Sequence, residues 1–222
     1  MKAEEILKKV HGTGYCVFEL QKKTIEKIRS FNLDQLGDGF HVNNDKQMAL
    51  FKESPDISSI VDYCKKYLET LNYKLNGIHI SRVVVGGSKE KYRTHFDSHI
   101  LTLVIPILIP DKKLNLRGQL YLVPNHRRQP RTDVENIFTK LLAFKYRGEK
   151  NFERVEKLKD YKKFDIDVGQ AILFNGSRSL HGNLENKSKS KRVTFIYHMT
   201  DPFPKGVGFW MRKIREKTGL RS

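Results

Sequence analysis

The stretch RVVVGGSKEKYRTHFDSH (residues 82–99) decides how the rest of the chain is interpreted. Its three valines favour a β-strand, and the Gly-Gly pair after them predicts a turn. His95, Asp97 and His99 then occupy every second position. Side chains two residues apart on a strand share a face, with Cα atoms about 6.6 Å apart. His95 and His99 would lie about 13 Å apart, so on a regular strand only two of the three side chains can bind the same ion.

A third ligand would have to come from elsewhere in the chain. Two histidines and a carboxylate that leave coordination positions open are the ligands of non-haem Fe(II) oxygenases, but a bare His-x-Asp often occurs by chance. The remaining histidines are His11, His41, His79, His126, His181 and His198. His79 and His198 lie within predicted strands, where a packed histidine is the common outcome, and His126 lies among arginines. His181 instead follows a buried-looking strand and a turn, and it precedes a glycine.

The flanking sequence predicts a mainly β fold with helices near the N-terminus. Helices are predicted over 21–31 and from Ser54-Pro55 onward, the second with a face of Ile57, Ile60, Val61, Cys64 and Leu68. Short strands are predicted within 12–20, 77–87, 100–110, 117–124, 164–175 and 191–199, with 176–190 as a polar loop. Pro106 indicates an edge position or a bulge. Strands at this spacing are typical of a barrel or sandwich, on which the helices would pack.

Residues 125–163 differ from their surroundings. They are strongly basic and helix-forming, and lysines and arginines alternate with Phe138, Phe144, Tyr146, Phe152 and Tyr161. We therefore predict a helical insertion between two strands. We expect a single domain over 1–222, comprising supporting elements in 1–76, a β core in 77–200 that carries the insertion, and a basic aromatic tail in 201–222.

The overall charge predicts an anionic partner. The 222 residues include 42 Lys and Arg against 25 Asp and Glu, a formal charge of +17. Such a surface attracts nucleic acid, phospholipid or an acidic substrate. The two cysteines, Cys16 and Cys64, are far apart and predict reduced thiols. Without a recognisable signal peptide or an apolar run of about 20 residues, we expect a cytoplasmic protein, with peripheral contact to the inner face of the membrane as an option.

The ordered set His95-x-Asp97, His181-Gly182 and RVT at 192–194 resembles the Fe(II)- and 2-oxoglutarate-dependent dioxygenases. Residues 82–99, RGQLYLVP (117–124), DIDVGQAILFNGSRSLHGN (165–183) and KRVTFIYH (191–198) are similar to segments of the prolyl-hydroxylase-like branch. The resemblance covers about 79–200 apart from the insertion. It implies an α+β fold around a double-stranded β-helix, also called a jelly-roll or cupin-like core. It also implies Fe(II), 2-oxoglutarate and O2 as cofactor and co-substrates.

The resemblance also implies roles for individual residues. The iron ligands would be His95, Asp97 and His181. Arg192 would hold the distal carboxylate of 2-oxoglutarate in a bidentate fork, and Thr194, on the same strand face, would add a hydroxyl donor. The alternative for Arg192 is a solvated charge at the end of KSKSKR. A weaker prediction places five further residues around the metal or against the substrate: Tyr92, His99, Arg82, Arg127 and Arg128.

The substrate is left open among several classes. Because basic and aromatic residues concentrate in 125–163 and 203–222, we favour contact with an anionic membrane and hydroxylation of an anionic glycolipid, such as the Kdo sugar of lipopolysaccharide. Hydroxylation of a protein side chain of the prolyl type is the second interpretation. A nucleic-acid oxidase or demethylase is the third, since basic residues bind phosphate and aromatic residues stack on bases. A non-catalytic nucleic-acid- or membrane-binding protein on the same scaffold is the last.

Overall fold

The computed structural model describes residues 1–31, 33, 36–42, 48–49, 52–73, 76–88, 90–111, 113 and 115–207. Its strands are β1 (Tyr15–Glu19), β2 (Gly39–Val42), β3 (Gly77–Val84), β4 (Leu101–Leu108), β5 (Leu120–Val123), β6 (Lys162–Phe164), β7 (Gln170–Asn175), β8 (Leu180–Asn183) and β9 (Arg192–Met199). Its helices are α1 (Ala3–Thr13), α2 (Lys22–Arg29), α3 (Pro55–Thr70), α4 (Asp133–Leu142) and α5 (Glu149–Glu156), with a 3₁₀ turn at Ala143–Tyr146.

The strands form two antiparallel sheets that face each other. The major sheet has the order β1-β7-β4-β9-β3-β2, and the minor sheet has the order β6-β5-β8. Between them lies an apolar cluster with contributions from both sheets: Val104, Leu120, Leu122, Ile166, Ile172, Phe174 and Ile196. This confirms the predicted α+β fold with a jelly-roll core.

The helices α1 and α3 cover the outer face of the major sheet. Ile57, Ile60, Cys64 and Leu68 of α3 are buried, as the sequence pattern predicted. They join one cluster with alternate residues of β4 and β9, such as Leu103 and Phe195. The outer face of the major sheet is therefore apolar, whereas its inner face combines apolar residues with polar ones such as Arg192 and His198.

Two details of the β core correct or refine the sequence predictions. Pro106 does not lie on an edge strand, because β4 runs between β7 and β9; the pairing with β9 shifts register between Pro106 and Leu108, which is the predicted bulge. The prediction of a loop over 176–190 was wrong in part, since β8 lies within it and pairs with β5. All four residues of β8 are buried. The sequence did not predict the strand because His181 and Asn183 are polar.

The predicted insertion contains α4, the 3₁₀ turn and α5. It packs on the minor sheet through the insertion residues Tyr146, Phe152 and Val155, which lie in one cluster with Tyr92 and Tyr121. In the part of the chain that the structure describes, no helix is both long enough and apolar enough to cross a bilayer.

Candidate metal centre

The His95–Asp97 stretch is attached to the end of the minor sheet rather than forming a strand of its own. His95 and His181 exchange two backbone hydrogen bonds, of 2.9 and 3.0 Å, as an isolated bridge. The Asp97 amide then donates to the Gly176 carbonyl at 3.1 Å. A Cβ atom at Gly176 would lie only 2.8 Å from Asp97 Oδ2 and 2.4 Å from Thr102 Oγ1. The glycine therefore lets the turn after β7 approach the carboxylate.

The structure brings His95, Asp97 and His181 together. One potential ligand atom from each lies within 4.8 Å of the others. Asp97 is central: its Oδ1 lies 3.6 Å from His95 Nε2, and its Oδ2 lies 3.5 Å from His181 Nε2. Among the described residues this is the group of His, Cys, Asp and Glu side chains with the geometry to hold a metal ion.

Hydrogen bonds on the far side of each imidazole select the tautomer that a metal requires. His95 Nδ1 lies 2.7 Å from the Arg93 carbonyl, and His181 Nδ1 lies 3.0 Å from the Ser179 carbonyl. Because a carbonyl only accepts, each Nδ1 carries the proton and donates, which leaves the Nε2 lone pairs directed toward Asp97. Both histidines are thus oriented as ligands by backbone groups.

Burial and charge favour the protonation states of a metal site. Burial, with a contribution from His181, lowers the pKa of His95 to about 4, so this imidazole is neutral near pH 7. Burial by itself would raise the pKa of Asp97, but His181 and His198 hold it well below its usual range. A neutral imidazole and an ionised carboxylate are the forms that bind a divalent cation. The donor set therefore fits Fe(II), for which two histidines and a carboxylate are typical.

The sequence did not predict that Thr102 and His198 lie next to Asp97. Thr102 Oγ1 donates to Asp97 Oδ2 at 2.6 Å, and it also lies 3.1 Å from His198 Nδ1. His198 Nδ1 is 3.5 Å from the same carboxylate oxygen. A signal for His198 was available, because it follows Arg192 by six residues on one strand and so shares its face. Thr102 could be found only from the register, which pairs it with His198.

A cavity extends from the three potential ligands along the inner face of β9. Its volume is about 40 Å³. Its walls are Phe40, Arg82, His95, Asp97, Thr102, Val104, Leu120, Phe174, His181, Asn183, Arg192, Thr194, Ile196 and His198. Arg192 and Thr194 therefore face the same cavity as the histidines and the aspartate, so Arg192 is not a solvated charge.

Arg192 is a buried cation that forms no direct ion pair with a described residue, although the charge of Asp165 partly offsets its own. No hydrogen bond or ion pair joins its guanidinium to any described residue, and only 3% of the residue is exposed. Burial and the charges of Arg82 and Arg117 lower its pKa to about 9. A Cβ atom at Gly118 would lie 2.8 Å from Arg192 Cδ, so this glycine provides room for the arginine stem. Such a site is suited to an anionic ligand, because an unpaired buried charge is costly.

Arg82 adds a second buried guanidinium to the same cavity. It is paired with Glu90 at 3.2 Å and lies over the Phe40 ring, with Cζ 5.2 Å from the ring centroid. Its Nε is buried and has no hydrogen-bond partner among the described residues. On the neighbouring strand its backbone partner is Thr194. The structure thus brings Arg82 close to Arg192 and Thr194, and the three side chains share one wall of the cavity.

The other residues predicted near the substrate have structural contacts. Tyr92 packs on Phe152 of the insertion, with ring centroids 4.9 Å apart, and is not part of the cavity wall. His99 is buried and stacks on His198 at 5.0 Å. Arg127 donates to the Ser177 carbonyl and holds the insertion in place, and Arg128 forms a surface ion pair with Glu135 at 3.0 Å. Most of the basic tail, 208–222, lies outside the described residues.

Comparison with known proteins supports the fold. No protein-family model matches the sequence, and no curated protein matches it by sequence. Among solved structures, a prolyl-4-hydroxylase from Pseudomonas putida superposes with a TM-score of 0.58 at 9% identity, over 89% of this chain and 97% of that one.

Two further solved structures extend this likeness. A prolyl hydroxylase from Trichoplax adhaerens, in complex with a peptide of hypoxia-inducible factor, gives 0.54 at 14% identity over 90% and 89%. The α-ketoglutarate-dependent carbocyclase SnoK of nogalamycin biosynthesis gives 0.56 at 15% over 90% and 86%. At these identities the likeness shows the fold alone.

Proposed function

We propose that this protein is an Fe(II)- and 2-oxoglutarate-dependent dioxygenase that hydroxylates a C–H bond of an anionic substrate. One observation carries the proposal: two histidines and an aspartate with metal-ligand geometry share a cavity with the unpaired, buried guanidinium of Arg192. Metal binding alone would not require Arg192, and an anion site alone would not require the triad. The jelly-roll fold, shared with solved 2-oxoglutarate-dependent enzymes, is consistent with it.

The residues would divide the work between holding the metal and holding the keto acid. His95, Asp97 and His181 would hold Fe(II), each kept in one orientation by its own hydrogen bond. Arg192 would bind the distal carboxylate of 2-oxoglutarate, and Thr194 would donate a hydroxyl to it. When bound, Fe(II) would supply the chemistry that couples decarboxylation of the keto acid to reduction of O2.

The overall reaction balances without another reductant. 2-Oxoglutarate, O2 and the substrate C–H would give succinate, CO2 and the C–OH product, with one oxygen atom in succinate and one in the hydroxyl group. The apolar cavity walls Val104, Leu120, Phe174 and Ile196 would exclude water from the reacting groups. Arg82, on the same wall, is paired with Glu90, but its Nε could donate a hydrogen bond to an oxygen atom of the substrate or the keto acid.

For the substrate itself we favour an anionic glycolipid at a membrane surface, such as the Kdo sugar of lipopolysaccharide. The formal charge of +17 and the basic insertion support this choice. A protein side chain is the second candidate, because two of the similar structures are prolyl hydroxylases and one of these holds a peptide.

The reaction class is tested by succinate formation from 2-oxoglutarate with Fe(II) and O2. A second readout is independent of turnover: Mn(II), a redox-inert substitute, should raise the melting temperature, and 2-oxoglutarate should raise it further only when Mn(II) is present. His11→Ala is a matched control, since His11 lies outside the cavity. Absence of metal binding in the unmodified protein would refute the proposal.

The substrate class is tested by offering Kdo-terminated glycolipid and proline-containing peptides to the same enzyme. We expect the glycolipid, and not the peptides, to gain the mass of one oxygen atom and to accelerate succinate formation. If only a peptide were hydroxylated, the substrate would be a protein side chain and not a glycolipid. The proposed reaction class would be unaffected.

A further inference from the structure

Helix α4 presents its apolar residues to solvent. The exposed fractions are 71% for Val134, 60% for Phe138, 54% for Leu141 and 53% for Leu142. Their spacing places all four on one face of the helix, which we call the α4 face. Phe144, in the following 3₁₀ turn, is also exposed. A contiguous group of large apolar side chains on the surface marks an interaction site more often than scattered single residues do.

The opposite side of α4 is polar and fixed to the body of the protein. Asn136 is buried there and accepts a hydrogen bond of 2.9 Å from Arg127, which also donates to Thr139. Lys140 reaches Ser98 Oγ at 2.6 Å. The helix therefore has the reverse of the usual pattern, with polar residues inward and apolar residues outward. Because specific hydrogen bonds fix this orientation, rotating the helix to bury the α4 face would break them.

The surroundings of the α4 face are positively charged. Apart from Arg127 and Lys140 on the inner side of α4, residues 125–150 contain five Lys and Arg against three Asp and Glu. Glu135 pairs with Arg128, and Glu149 pairs with Lys91. An exposed apolar stripe bordered by lysine and arginine is typical of helices that lie in the interface of an anionic bilayer.

Other occupants fit this surface less well. Nucleic acid would engage the basic residues and the rings of Phe138 and Phe144, but it would leave the aliphatic side chains Val134, Leu141 and Leu142 without a partner. A second copy would bring two basic rims together. The chain's own tail begins nearby, since a Cβ atom at Gly206 would lie 2.3 Å from Asp133 Oδ2. That tail, 208–222, has five basic residues against one acidic residue, so it also carries the charge of the rim.

We propose that the α4 face docks on an anionic lipid surface, with its apolar side chains in the headgroup region and the basic rim against lipid phosphates. On its inner side α4 is linked through Lys140 to Ser98, which follows Asp97 in the chain, so the helix that docks would also contact the segment that carries a metal ligand. The enzyme would then meet substrates that are anchored in the bilayer. Docking itself does not rest on the proposed dioxygenase activity and can be measured without metal or 2-oxoglutarate.

The test is flotation of the full-length protein with vesicles of phosphatidylglycerol and phosphatidylcholine, compared with phosphatidylcholine alone. We expect binding only to the anionic vesicles. The double variant Phe138→Ser, Leu141→Ser should bind at least about tenfold more weakly, because two apolar anchors are lost. Leu71→Ser, which also replaces an exposed leucine but at the end of α3 and outside the insertion, should bind like the unmodified protein.

A charge-reversed pair tests the rim separately. Arg131→Glu, Lys145→Glu should lose binding and should weaken the salt sensitivity of what remains, whereas Lys65→Glu on α3 should not. Equal binding by the Phe138→Ser, Leu141→Ser variant and the unmodified protein would overturn the proposal. So would failure of the unmodified protein to bind anionic vesicles, or a complete loss of binding on deleting 208–222 with no effect of the α4 variants.

Discussion

The two faces of strand β9 show how one element serves the fold and the site at once. Val193, Phe195, Tyr197 and Met199 point into the cluster beneath the helices. Arg192, Thr194, Ile196 and His198 point into the cavity. The first set consists of three aliphatic or aromatic hydrocarbon or thioether side chains and a tyrosine, whereas the second carries a charge, a hydroxyl and an imidazole. Since alternate residues separate these tasks, substitutions on one face should change stability and those on the other should change ligand binding.

A second contrast, between two buried arginines, sharpens this point. Arg117 is paired with Asp165 at 2.7 Å and with Asp167 at 2.9 Å. Arg192 has no such partner among the described residues, although it is equally buried. A buried charge with its partners contributes to the fold, whereas one without them is best explained by a ligand that supplies the negative charge.

The largest effect is expected from His181→Ala. Loss of one of three metal ligands should lower 2-oxoglutarate turnover by at least about a thousandfold, which corresponds to about 4 kcal/mol in activation free energy. Succinate formation measures this, and Mn(II) should no longer raise the melting temperature. If the His181→Ala protein formed succinate as fast as the unmodified protein, the assignment of His181 as a metal ligand would be wrong.

On the other face of β9, Phe195→Ala should lower the free energy of unfolding by about 3 kcal/mol or more, because it leaves a cavity in the main core. Urea denaturation measures the change. Leu108→Ala, at an exposed position of β4, is the control and should change stability by less than about 0.5 kcal/mol. The metal affinity of any folded Phe195→Ala protein should remain normal; a selective loss of metal binding would contradict the division between the two faces.

Arg192→Ala should raise the Michaelis constant for 2-oxoglutarate by a factor equivalent to about 1.5–3 kcal/mol, the range of hydrogen bonds to charged groups. Mn(II) binding and stability without the keto acid should be retained. Arg117→Ala is the informative comparison, since it leaves two carboxylates without their partner and should destabilise the fold. An unchanged Michaelis constant in Arg192→Ala would refute its role in binding the co-substrate.

The smallest effect concerns Thr102, which holds the Asp97 carboxylate by a hydrogen bond of 2.6 Å. Thr102→Val keeps the shape but removes the donor, and we expect Mn(II) affinity to fall about tenfold. Calorimetric titration measures it. Thr102→Ser retains the hydroxyl and should restore most of the affinity; if it bound as weakly as the valine variant, packing rather than the hydrogen bond would explain the loss.

Much of the candidate site could be predicted from the sequence because it depends on local spacing. His95 and Asp97 are two residues apart, and Arg192 and Thr194 alternate on a strand, so short-range geometry was enough to group each pair. The inward direction of Arg192 also followed from that alternation. The direction of the Tyr92 side chain could not be predicted in this way. Tyr92 lies in a turn and has a positive φ of 53°, so the alternation of a regular strand does not apply to it.

The sequence by itself thus determined the fold class, the helices α2 and α3, the insertion, and the composition of the triad. Only the tertiary structure decided that Thr102 and His198 adjoin Asp97, that Arg82 is paired with Glu90, and that α4 turns its apolar side outward. These features join residues far apart in the chain through strand register and through the docking of the insertion. Register and docking are set by packing over the whole core, so no local pattern of residues could specify them.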